Sequence, residues 1–303
     1  MKNVIFMGTP DYAKAILAEL IADSAINVVA VFTQPDKPVG RKKILTPPPV
    51  KVLALEHGIK IFQPNSLKKE DYATVISDLN PDFIVVAAFG QILPKSILDI
   101  APCINLHASI LPAYRGASPI QQSLLNDDSQ TGVTAMLMDV GMDTGDIISI
   151  ETLNIPHTML ANELFDALTK IAAKMTPNIL HNFESFTIVK QDDTLATQCK
   201  KISKADGEVS FINAKELYNK YRAFTPWPGV YLASGLKLLE MALLETTSSN
   251  ESGKILNIEK DYIEVGCSLG SIRITMVQPP SKKAMPIVSY INGQRLDRGD
   301  YLA

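Results

Sequence analysis

Short apolar runs alternate with amphipathic segments along the first part of the chain. The runs at residues 4–7, 28–32, 83–88 and 104–106 have the length of buried strands, and apolar residues recur at helical spacing between the first two. Strands that alternate with helices predict an α/β domain with a parallel sheet covered by helices. Asp11 precedes the first helical pattern, and we expect its carboxylate to cap that helix.

The pattern changes after residue 186. Residues 187–206 are polar and rich in charges, and we interpret them as a linker between a first domain at 1–186 and a second at 207–303. A helix is predicted over Ala214–Phe224. Strand-like runs then follow at 236–243, 254–258, 262–265 and 271–277. Short strands separated by turn residues at this spacing predict a small β-barrel.

The composition narrows the class of protein. A chain of 303 residues with 46% hydrophobic and 20% charged residues can build two separate cores. Cys103, Cys199 and Cys267 stand far apart and the four histidines show no metal-ligand spacing, which favours a reduced cytoplasmic protein without a metal. No apolar run reaches membrane-spanning length, so neither secretion nor a membrane partner is expected.

The turn after the first strand argues against a nucleotide cofactor. Gly8-Thr9-Pro10 carries a single glycine and lacks the glycine-rich pattern of dinucleotide-binding folds. A phosphate-binding Gly-Lys-Ser/Thr loop is also missing after every predicted strand. Both absences count against a nicotinamide or nucleotide enzyme.

Asn105 and His107 close the last of the early apolar runs. Two residues apart on a strand, their side chains point to the same face. An amide and an imidazole suit a carbonyl oxygen that becomes negative during attack, and a carboxylate such as Asp143 could orient the imidazole. This set predicts acyl transfer, although a hydrogen-bonded structural histidine explains the same residues about as well. Asp139 and Asp146 lie close to Asp143, and either could be the carboxylate.

Four blocks of sequence resemble the active-site motifs of the formyltetrahydrofolate-dependent formyltransferases. They lie at residues 105–112, 114–116, 119–121 and 139–146. The Pro-Trp-Pro-Gly segment at 226–229 and the segments at 278–279 and 282–285 extend the resemblance over nearly the whole chain. The resemblance implies a Rossmann-like formyltransferase domain followed by an OB-like β-barrel domain.

The resemblance also implies a role for each residue of the catalytic trio. Asn105 would donate a hydrogen bond to the formyl oxygen, and His107 would stabilise the oxyanion or relay a proton. Asp143 would hold His107 and help to take the proton from the attacking amine, because the family pattern places the carboxylate just before Thr144.

The formyl donor implied by the resemblance is 10-formyltetrahydrofolate, with no metal. The residues expected to contact this folate are Phe89, Gly90, Gln91, Ser109, Ile110, Leu111, Pro112 and Val140. A purely structural interpretation, an apolar loop packed into the core and closed by a proline, remains open for Ser109 to Pro112.

A basic loop at residues 34–43 points to the acceptor. Arg41, Lys42 and Lys43 form a phosphate-attracting patch on a chain with a net charge of −3. In the family, such an insertion implies initiator methionyl-tRNA as partner, formylated on its methionine α-amine for translation initiation, with residues 207–303 orienting the tRNA. The alternatives are formylation of an amino sugar nucleotide by the same trio, and a catalytically silent RNA-binding module.

Trp227, the only tryptophan, stands between two prolines. We interpret it as an aromatic plug at the domain junction in preference to a base-stacking residue. A monomer without DNA or membrane partners is expected.

Overall fold

The computed structural model describes residues 1–40, 42–68 and 71–302. The chain divides into two compact units, and it crosses from one to the other several times. Unit 1 comprises Met1–Pro119, Gln130–Asn154 and Phe165–Cys199, and unit 2 comprises Ile120–Ser129, Ile155–Leu164 and Lys200–Ala303.

The elements of the first half of the chain begin with β1 Lys2–Gly8, α1 Asp11–Ala22, β2 Ile26–Phe32, β3 Lys37–Val39, β4 Ile44–Thr46, α2 Pro49–Glu56, β5 Ile61–Phe62 and α3 Tyr72–Asp78. They continue with β6 Phe83–Ala87, α4 Lys95–Leu98, β7 Cys103–His107, β8 Arg115–Gly116, α5 Pro119–Leu125, β9 Gln130–Leu137 and β10 Ile147–Asn154. The second half contains α6 Ala161–His181, β11 Gln198–Cys199, α7 Ala214–Phe224, β12 Val230–Tyr231, β13 Lys237–Glu245, β14 Ile255–Ile258, β15 Ile263–Gly266, β16 Ser271–Gln278, β17 Met285–Pro286 and α8 Ile287–Gln294.

A seven-stranded sheet forms the centre of unit 1, in the order β10-β9-β7-β6-β1-β2-β5. The strands from β7 to β5 pair in parallel, whereas β9 and β10 are antiparallel additions at one side. All five residues of β6 are buried, as expected for a parallel strand covered on both faces. The predicted mostly parallel α/β domain is confirmed.

The first helix, α1, begins at Asp11, the residue that was expected to be its N-cap. Pro10, extended at ψ −176°, is the N-cap residue, and no side chain caps the helix. Asp11 is therefore the first helical residue, and the prediction that it caps α1 is wrong. Its charge still stabilises the helix, because a carboxylate in the first turn faces the positive end of the helix dipole.

The basic loop contains a short hairpin. Strands β3 and β4 pair antiparallel, with Val39 opposite Ile44, and Gly40 and Lys43 have left-handed φ angles of 70° and 48° at the tip. Both strands are exposed along their whole length. The segment predicted as a basic loop therefore contains two short strands, and Arg41 lies outside the described residues.

The segment interpreted as a linker contributes to unit 1 in its first half. Val189 pairs with Ile147 in an antiparallel bridge, and β11 pairs in parallel with β8. Gln191 is buried, with 5% of its surface exposed. The domain boundaries proposed from the sequence remain a prediction.

The centre of unit 2 is an antiparallel sheet. Its strands run in the order β12-β13-β16-β15-β14, and β17 pairs with β16. The predicted helix α7 and the strands after it are confirmed as a second, antiparallel β domain. Within the described part of the chain the pairings follow an open path, because none joins β14 to β12, so a closed barrel is not seen.

A buried arginine organises the rest of unit 2. Arg222 on α7 is 1% exposed and donates hydrogen bonds to the Asp127 carboxylate at 2.9 Å and to the carbonyls of Met159 and Pro156. Lys215 and His157 also contact Asp127. Burial alone raises the pKa of Asp127, but its hydrogen bonds to Lys215, Arg222 and His157 outweigh this and hold the pKa below its ordinary value.

Trp227 is 59% exposed. The prediction of an aromatic plug is wrong for this residue, because a plug buries its ring. Among the residues that the structure describes, none of the helices has both the length and the apolar character that crossing a bilayer requires.

Candidate active site

The predicted trio begins at the carboxyl end of β7, where open α/β sheets bind their ligands. Asn105 pairs with Val86 of β6 on one side and with Met136 of β9 on the other, and His107 pairs with Thr134. Because β7 is an inner strand of the sheet, these pairings fix the backbone under both side chains. His107 is buried and Asn105 is half-buried.

Asp143 approaches the same point from the loop between β9 and β10. Its Oδ2 lies 3.6 Å from His107 Nδ1 and accepts a hydrogen bond from Gly116 N at 2.8 Å. Its Oδ1 accepts from Asn105 Nδ2 at 3.4 Å. The structure thus brings together the three residues that the sequence singled out. The separation between His107 Nδ1 and Asp143 Oδ2 exceeds hydrogen-bond length, so the two side chains form an ion pair only when the imidazole is protonated.

The other two aspartates of this loop are placed differently. Asp139 Oδ1 accepts from Gly141 N at 2.9 Å and from Thr144 Oγ1 at 2.6 Å, so its carboxylate closes the loop on itself. Asp146 is exposed, and its backbone carbonyl accepts from Leu137 N. Of the three carboxylates, Asp143 is the one that reaches His107.

The imidazole of His107 lies between two acceptors. Nε2 is 2.9 Å from the carbonyl oxygen of Tyr114, and Nδ1 faces Asp143. A neutral imidazole carries one N–H and can donate to one of them, whereas the protonated ring can donate to both. The surroundings therefore suit a ring that gains and loses a proton during a reaction.

Cys199 shares a contact with this cluster, the carbonyl oxygen of Tyr114. Its Sγ accepts from Ser118 N at 3.3 Å and donates to the Tyr114 carbonyl at 3.4 Å. Burial raises the pKa of the Cys199 thiol, and the charge of Asp143 raises it further. The thiol is therefore protonated at neutral pH, which makes it a poor nucleophile.

The predicted folate loop after β7 is fastened to β9. The Ser109 hydroxyl donates to the Ala113 carbonyl at 2.6 Å, while the Ser109 carbonyl accepts from Thr134 Oγ1 at 2.6 Å. The same Thr134 oxygen accepts from Leu111 N at 3.0 Å. Ser109 and Leu111 are buried, whereas Ile110 and Pro112 are partly exposed. Ser109 thus shapes the loop, and Ile110 and Pro112 are its partly exposed residues.

The loop after β6 is held in a similar way. The buried Phe89 accepts through its carbonyl from Gln34 Nε2 at 3.1 Å, and Gly90 adopts a left-handed φ of 79°. Gln91 Oε1 accepts from Leu67 N at 2.9 Å, and its Nε2 donates to the Pro64 carbonyl. The Gln91 side chain is therefore occupied by the protein, and a ligand here would meet the backbone.

The remaining predicted site residues lie on exposed loops. Val140 is 71% exposed, and its neighbour Met142 is 65% exposed. Lys42 and Lys43 are exposed at the tip of the β3–β4 hairpin, and Arg41 lies outside the described residues. Within residues 1–40, 42–68 and 71–302, neither lysine forms a hydrogen bond or an ion pair with a residue of the trio.

The sequence did not reveal the residues whose side chains hold the backbone of the turn that carries Asp143. Gln191 Nε2 donates to the Asp143 carbonyl at 2.9 Å and to the Gly145 carbonyl at 2.6 Å. Arg115 donates to Gln191 Oε1 through Nε at 3.0 Å and Nη2 at 2.8 Å. Arg115 stands in one of the resembling blocks, but nothing in the local sequence distinguishes Gln191.

Both parts of the chain match known protein families. The formyl transferase family matches residues 1–180, and the C-terminal domain of formyl transferases matches residues 201–295. The chain belongs to the formyl transferase family, and it is an enzyme that transfers formyl groups.

The curated relatives narrow the class. The chain is 57% identical over 301 residues to the methionyl-tRNA formyltransferase of Sulfurimonas denitrificans, covering 99% of this chain and 100% of that protein. It is 50% identical to the methionyl-tRNA formyltransferase of Campylobacter jejuni strain RM1221, covering 100% of both. At this identity and coverage, the likeness extends over both units.

Solved structures show the same fold at low identity. WlaRD, a sugar 3N-formyl transferase studied with dTDP and 5-N-formyl-THF, has a TM-score of 0.67 at 19% identity, covering 93% of this chain and 99% of its own. An N-formyltransferase from Helicobacter canadensis, in complex with folinic acid and dTDP-3-aminofucose, has a TM-score of 0.68 at 16% identity, covering 92% and 100%.

Proposed function

We propose that this enzyme transfers the formyl group of 10-formyltetrahydrofolate to the methionine α-amine of initiator methionyl-tRNA, in the cytoplasm where translation begins. The observation that carries the proposal is the Asp143 carboxylate, which Asn105 and His107 meet at the end of β7. The names of the relatives, at 50% to 57% identity, support the acceptor.

The reaction needs a neutral amine, a polarised formyl carbon and a place for one proton. Asn105 donates to the formyl oxygen, and His107 stabilises the negative charge that this oxygen gains. A bond forms between the amine nitrogen and the formyl carbon, while the bond from that carbon to N10 of the folate breaks. The proton lost by the amine passes through the Asp143–His107 pair to the leaving nitrogen. No covalent enzyme intermediate is required, which fits the protonated state of Cys199.

The protein accelerates this reaction by placement and electrostatics. A preorganised hydrogen-bond donor at a developing oxyanion contributes about 3 kcal/mol to lowering the barrier. Holding amine and formyl carbon in contact contributes a further ~7 kcal/mol by removing translational entropy. The stapled loops after β6 and β7, with Phe89 to Gln91 and Ser109 to Pro112, provide the rigid walls for the folate that such placement needs.

Folate as the donor is supported by the titles of the structural neighbours, which name 5-N-formyl-THF and folinic acid. In this chain, Gln91 would shape the pterin pocket while its neighbours' backbone contacts the ring, and Ile110, Pro112 and Val140 would supply apolar contact, with the buried Leu111 supporting the loop from below. The structure shows these residues on loops that start from adjacent strands β6 and β7, except Val140, which lies beside Asp143 in sequence.

The acceptor is tested directly by offering both candidates. Purified enzyme with 10-formyltetrahydrofolate is incubated with methionyl initiator tRNA or with a dTDP-linked amino sugar, and formylated product is measured. We expect transfer to tRNA at a rate at least ~100-fold above that to the sugar, because a fitted site rejects the wrong polar acceptor by two or more decades. Faster transfer to the amino sugar would replace our proposal with the alternative.

A substitution in the basic loop at residues 34–43 tests the identity of the acceptor in a second way. Arg41→Ala removes a guanidinium that can bind phosphate through two hydrogen bonds. We expect weaker tRNA binding, unchanged folate binding, and a dependence of tRNA affinity on salt that is shallower by about 1 unit of log–log slope per lost phosphate contact. Lys174→Ala, at an exposed position of α6, is the matched control. If both variants keep the wild-type slope, Arg41 does not bind phosphate.

A further inference from the structure

Gln191 donates hydrogen bonds to the turn that carries Asp143. All the donors and acceptors of its side-chain amide have partners in the protein. The two N–H groups donate to the carbonyls of Asp143 and Gly145, and the oxygen accepts twice from Arg115. An amide has two donors and two acceptor lone pairs, so the side chain is saturated. Since Gln191 is 5% exposed, it has neither the surface nor the capacity to bind substrate.

The turn that Gln191 holds is a demanding one. Asp143 has a left-handed φ of 56°, a conformation that L-residues populate sparingly. Gly145 packs so closely that a Cβ there would lie 1.6 Å from the Leu137 carbonyl oxygen. A residue in this conformation points its carboxylate correctly only while its backbone is held, and the Gln191 bond to the Asp143 carbonyl supplies such a hold.

Arg115 fixes the orientation of the Gln191 amide. Arg115 is 8% exposed. Its guanidinium donates to Gln191 through two nitrogens, and Nη2 also donates to Asp193 Oδ1 at 2.8 Å. Because two nitrogens of Arg115 donate hydrogen bonds, the oxygen of the Gln191 amide must face the guanidinium. The NH₂ group of Gln191 then points toward the turn that carries Asp143. The next residue, Gly116, donates its N–H to the Asp143 carboxylate. The short strand β8 thus supports Asp143 through a side-chain relay and through the backbone.

We propose that Gln191 is a positioning residue for formyl transfer, which acts by holding the Asp143 peptide so that the carboxylate meets His107 and Asn105, with Arg115 setting the amide. This inference rests on the proposed function, because it assigns Gln191 a role in that reaction. It predicts an effect on the rate of transfer and none on the binding of donor or tRNA.

The first test replaces the donors while keeping the size of the side chain. Gln191→Met removes the whole relay, and Gln191→Glu keeps an acceptor for Arg115 but removes the N–H groups. We expect each variant to lower kcat by about 10- to 100-fold, since a displacement of about 1 Å at a reacting group has this effect. KM for the folate and for tRNA should stay at the wild-type values. Gln198→Met, at an exposed position of β11, should keep wild-type kcat.

The second test asks whether Gln191 acts through Asp143. In an Asp143→Asn background the carboxylate is already gone, so adding Gln191→Met should lower single-turnover rates no further. Ile179→Val, at a buried position of α6, serves as the stability control and should behave alike in both backgrounds. An equal additional loss from Gln191→Met in both backgrounds would show a general structural role and overturn the proposal.

A third experiment tests the positioning role of Gln191 without measuring enzyme activity. The ring ¹⁵N shifts of His107 report its contact with the carboxylate, and we expect Gln191→Met to move them in the direction that Asp143→Asn does. Unmoved shifts in Gln191→Met, beside a clear change in Asp143→Asn, would contradict the positioning role. If the wild-type enzyme does not formylate tRNA, the proposed function fails, whereas the shifts still decide whether Gln191 holds Asp143.

Discussion

Two of the histidine–aspartate pairs in the described part of the chain, one taken from each unit, have similar histidine–aspartate distances. His107 and Asp143 approach to 3.6 Å, and His157 and Asp127 to 3.4 Å. Both aspartates have left-handed φ angles, 56° and 55°, and both side chains are 15% exposed. The two histidines differ in exposure, because the side chain of His107 is 7% exposed and that of His157 is 81% exposed.

The surroundings of the two carboxylates differ sharply. Asp127 contacts the ammonium of Lys215 at 3.0 Å and the guanidinium of Arg222 at 2.9 Å. Asp143, within the part of the chain that the structure describes, contacts the His107 imidazole and accepts from the neutral N–H groups of Gly116 and Asn105, with no lysine or arginine side chain among its contacts. Permanent cations neutralise a structural carboxylate, whereas neutral donors leave the other one able to respond to a proton on its histidine.

Replacing Asp143 by asparagine should produce the largest change in activity. The substitution keeps the left-handed turn, which asparagine tolerates, and removes only the charge. We expect kcat to fall by about 10² to 10³, with thermal unfolding unchanged, because the loss falls on the transition state. Single-turnover formylation and a melting curve measure both quantities. Asn105→Ala and His107→Ala should show the same division, and near wild-type turnover in any of the three folded variants would remove that residue from the trio.

The same substitution at Asp127 should act in the opposite way. Arg222 is 1% exposed, and without its carboxylate it remains a buried charge. Removing one partner of a buried ion pair lowers the free energy of unfolding by about 3 kcal/mol. Urea unfolding should detect this loss, while kcat per folded molecule stays at the wild-type value. A catalytic defect without a stability defect would erase the contrast between the two pairs.

The smallest expected effect concerns the stability contributed by Glu245, a third carboxylate that can be compared with Asp143 and Asp127. Like Asp143 it is held by neutral donors, the N–H groups of Thr246, Thr247 and Ser248 and the Thr247 hydroxyl. Hydrogen bonds from Thr247 and Ser248 lower the pKa of Glu245 from 4.5 to about 2. The folded pKa lies below the unfolded one, so the ionised carboxylate stabilises the fold above about pH 4.5 and this contribution disappears as the pH falls toward 2.

The measurement is the melting temperature of wild type and Glu245→Gln across this range. We expect the wild type to be the more stable protein at pH 6 and the difference to vanish near pH 2, with activity at neutral pH unaffected. A difference that is independent of pH would mean that packing of the side chain, and not its charge, holds the loop.

The sequence predicted those parts of the fold whose signals are local. The inner parallel strands are continuous apolar runs, and α7 begins where Asn213 accepts from the N–H groups of Lys215 and Glu216. The long helix α6 was missed, although buried residues recur through it at helical spacing, at Leu168, Ala172, Met175 and Ile179. That signal was present in the sequence and could have been found.

The supports of the site could not be predicted, for a physical reason. Gln191 is 48 residues from Asp143 and 76 from Arg115, and Arg222 is 95 residues from Asp127. A polar residue whose partners lie that far along the chain leaves no periodicity and no cap or turn pattern. The polar stretch that contains Gln191 therefore resembled a linker, because polarity is the signal of both a solvated segment and a buried hydrogen-bond network.

The position of Gln191 also decides where this enzyme can be cut and recombined. The two family domains match residues 1–180 and 201–295, and Gln191 lies in neither. A chimaera joined to another family member at residue 181 would give the first domain a foreign segment behind its own Asp143. A junction placed after Cys199 keeps Arg115, Gln191 and Asp143 from one parent, and chimaeras designed in this way should retain the chemistry of the parent that donates the first domain.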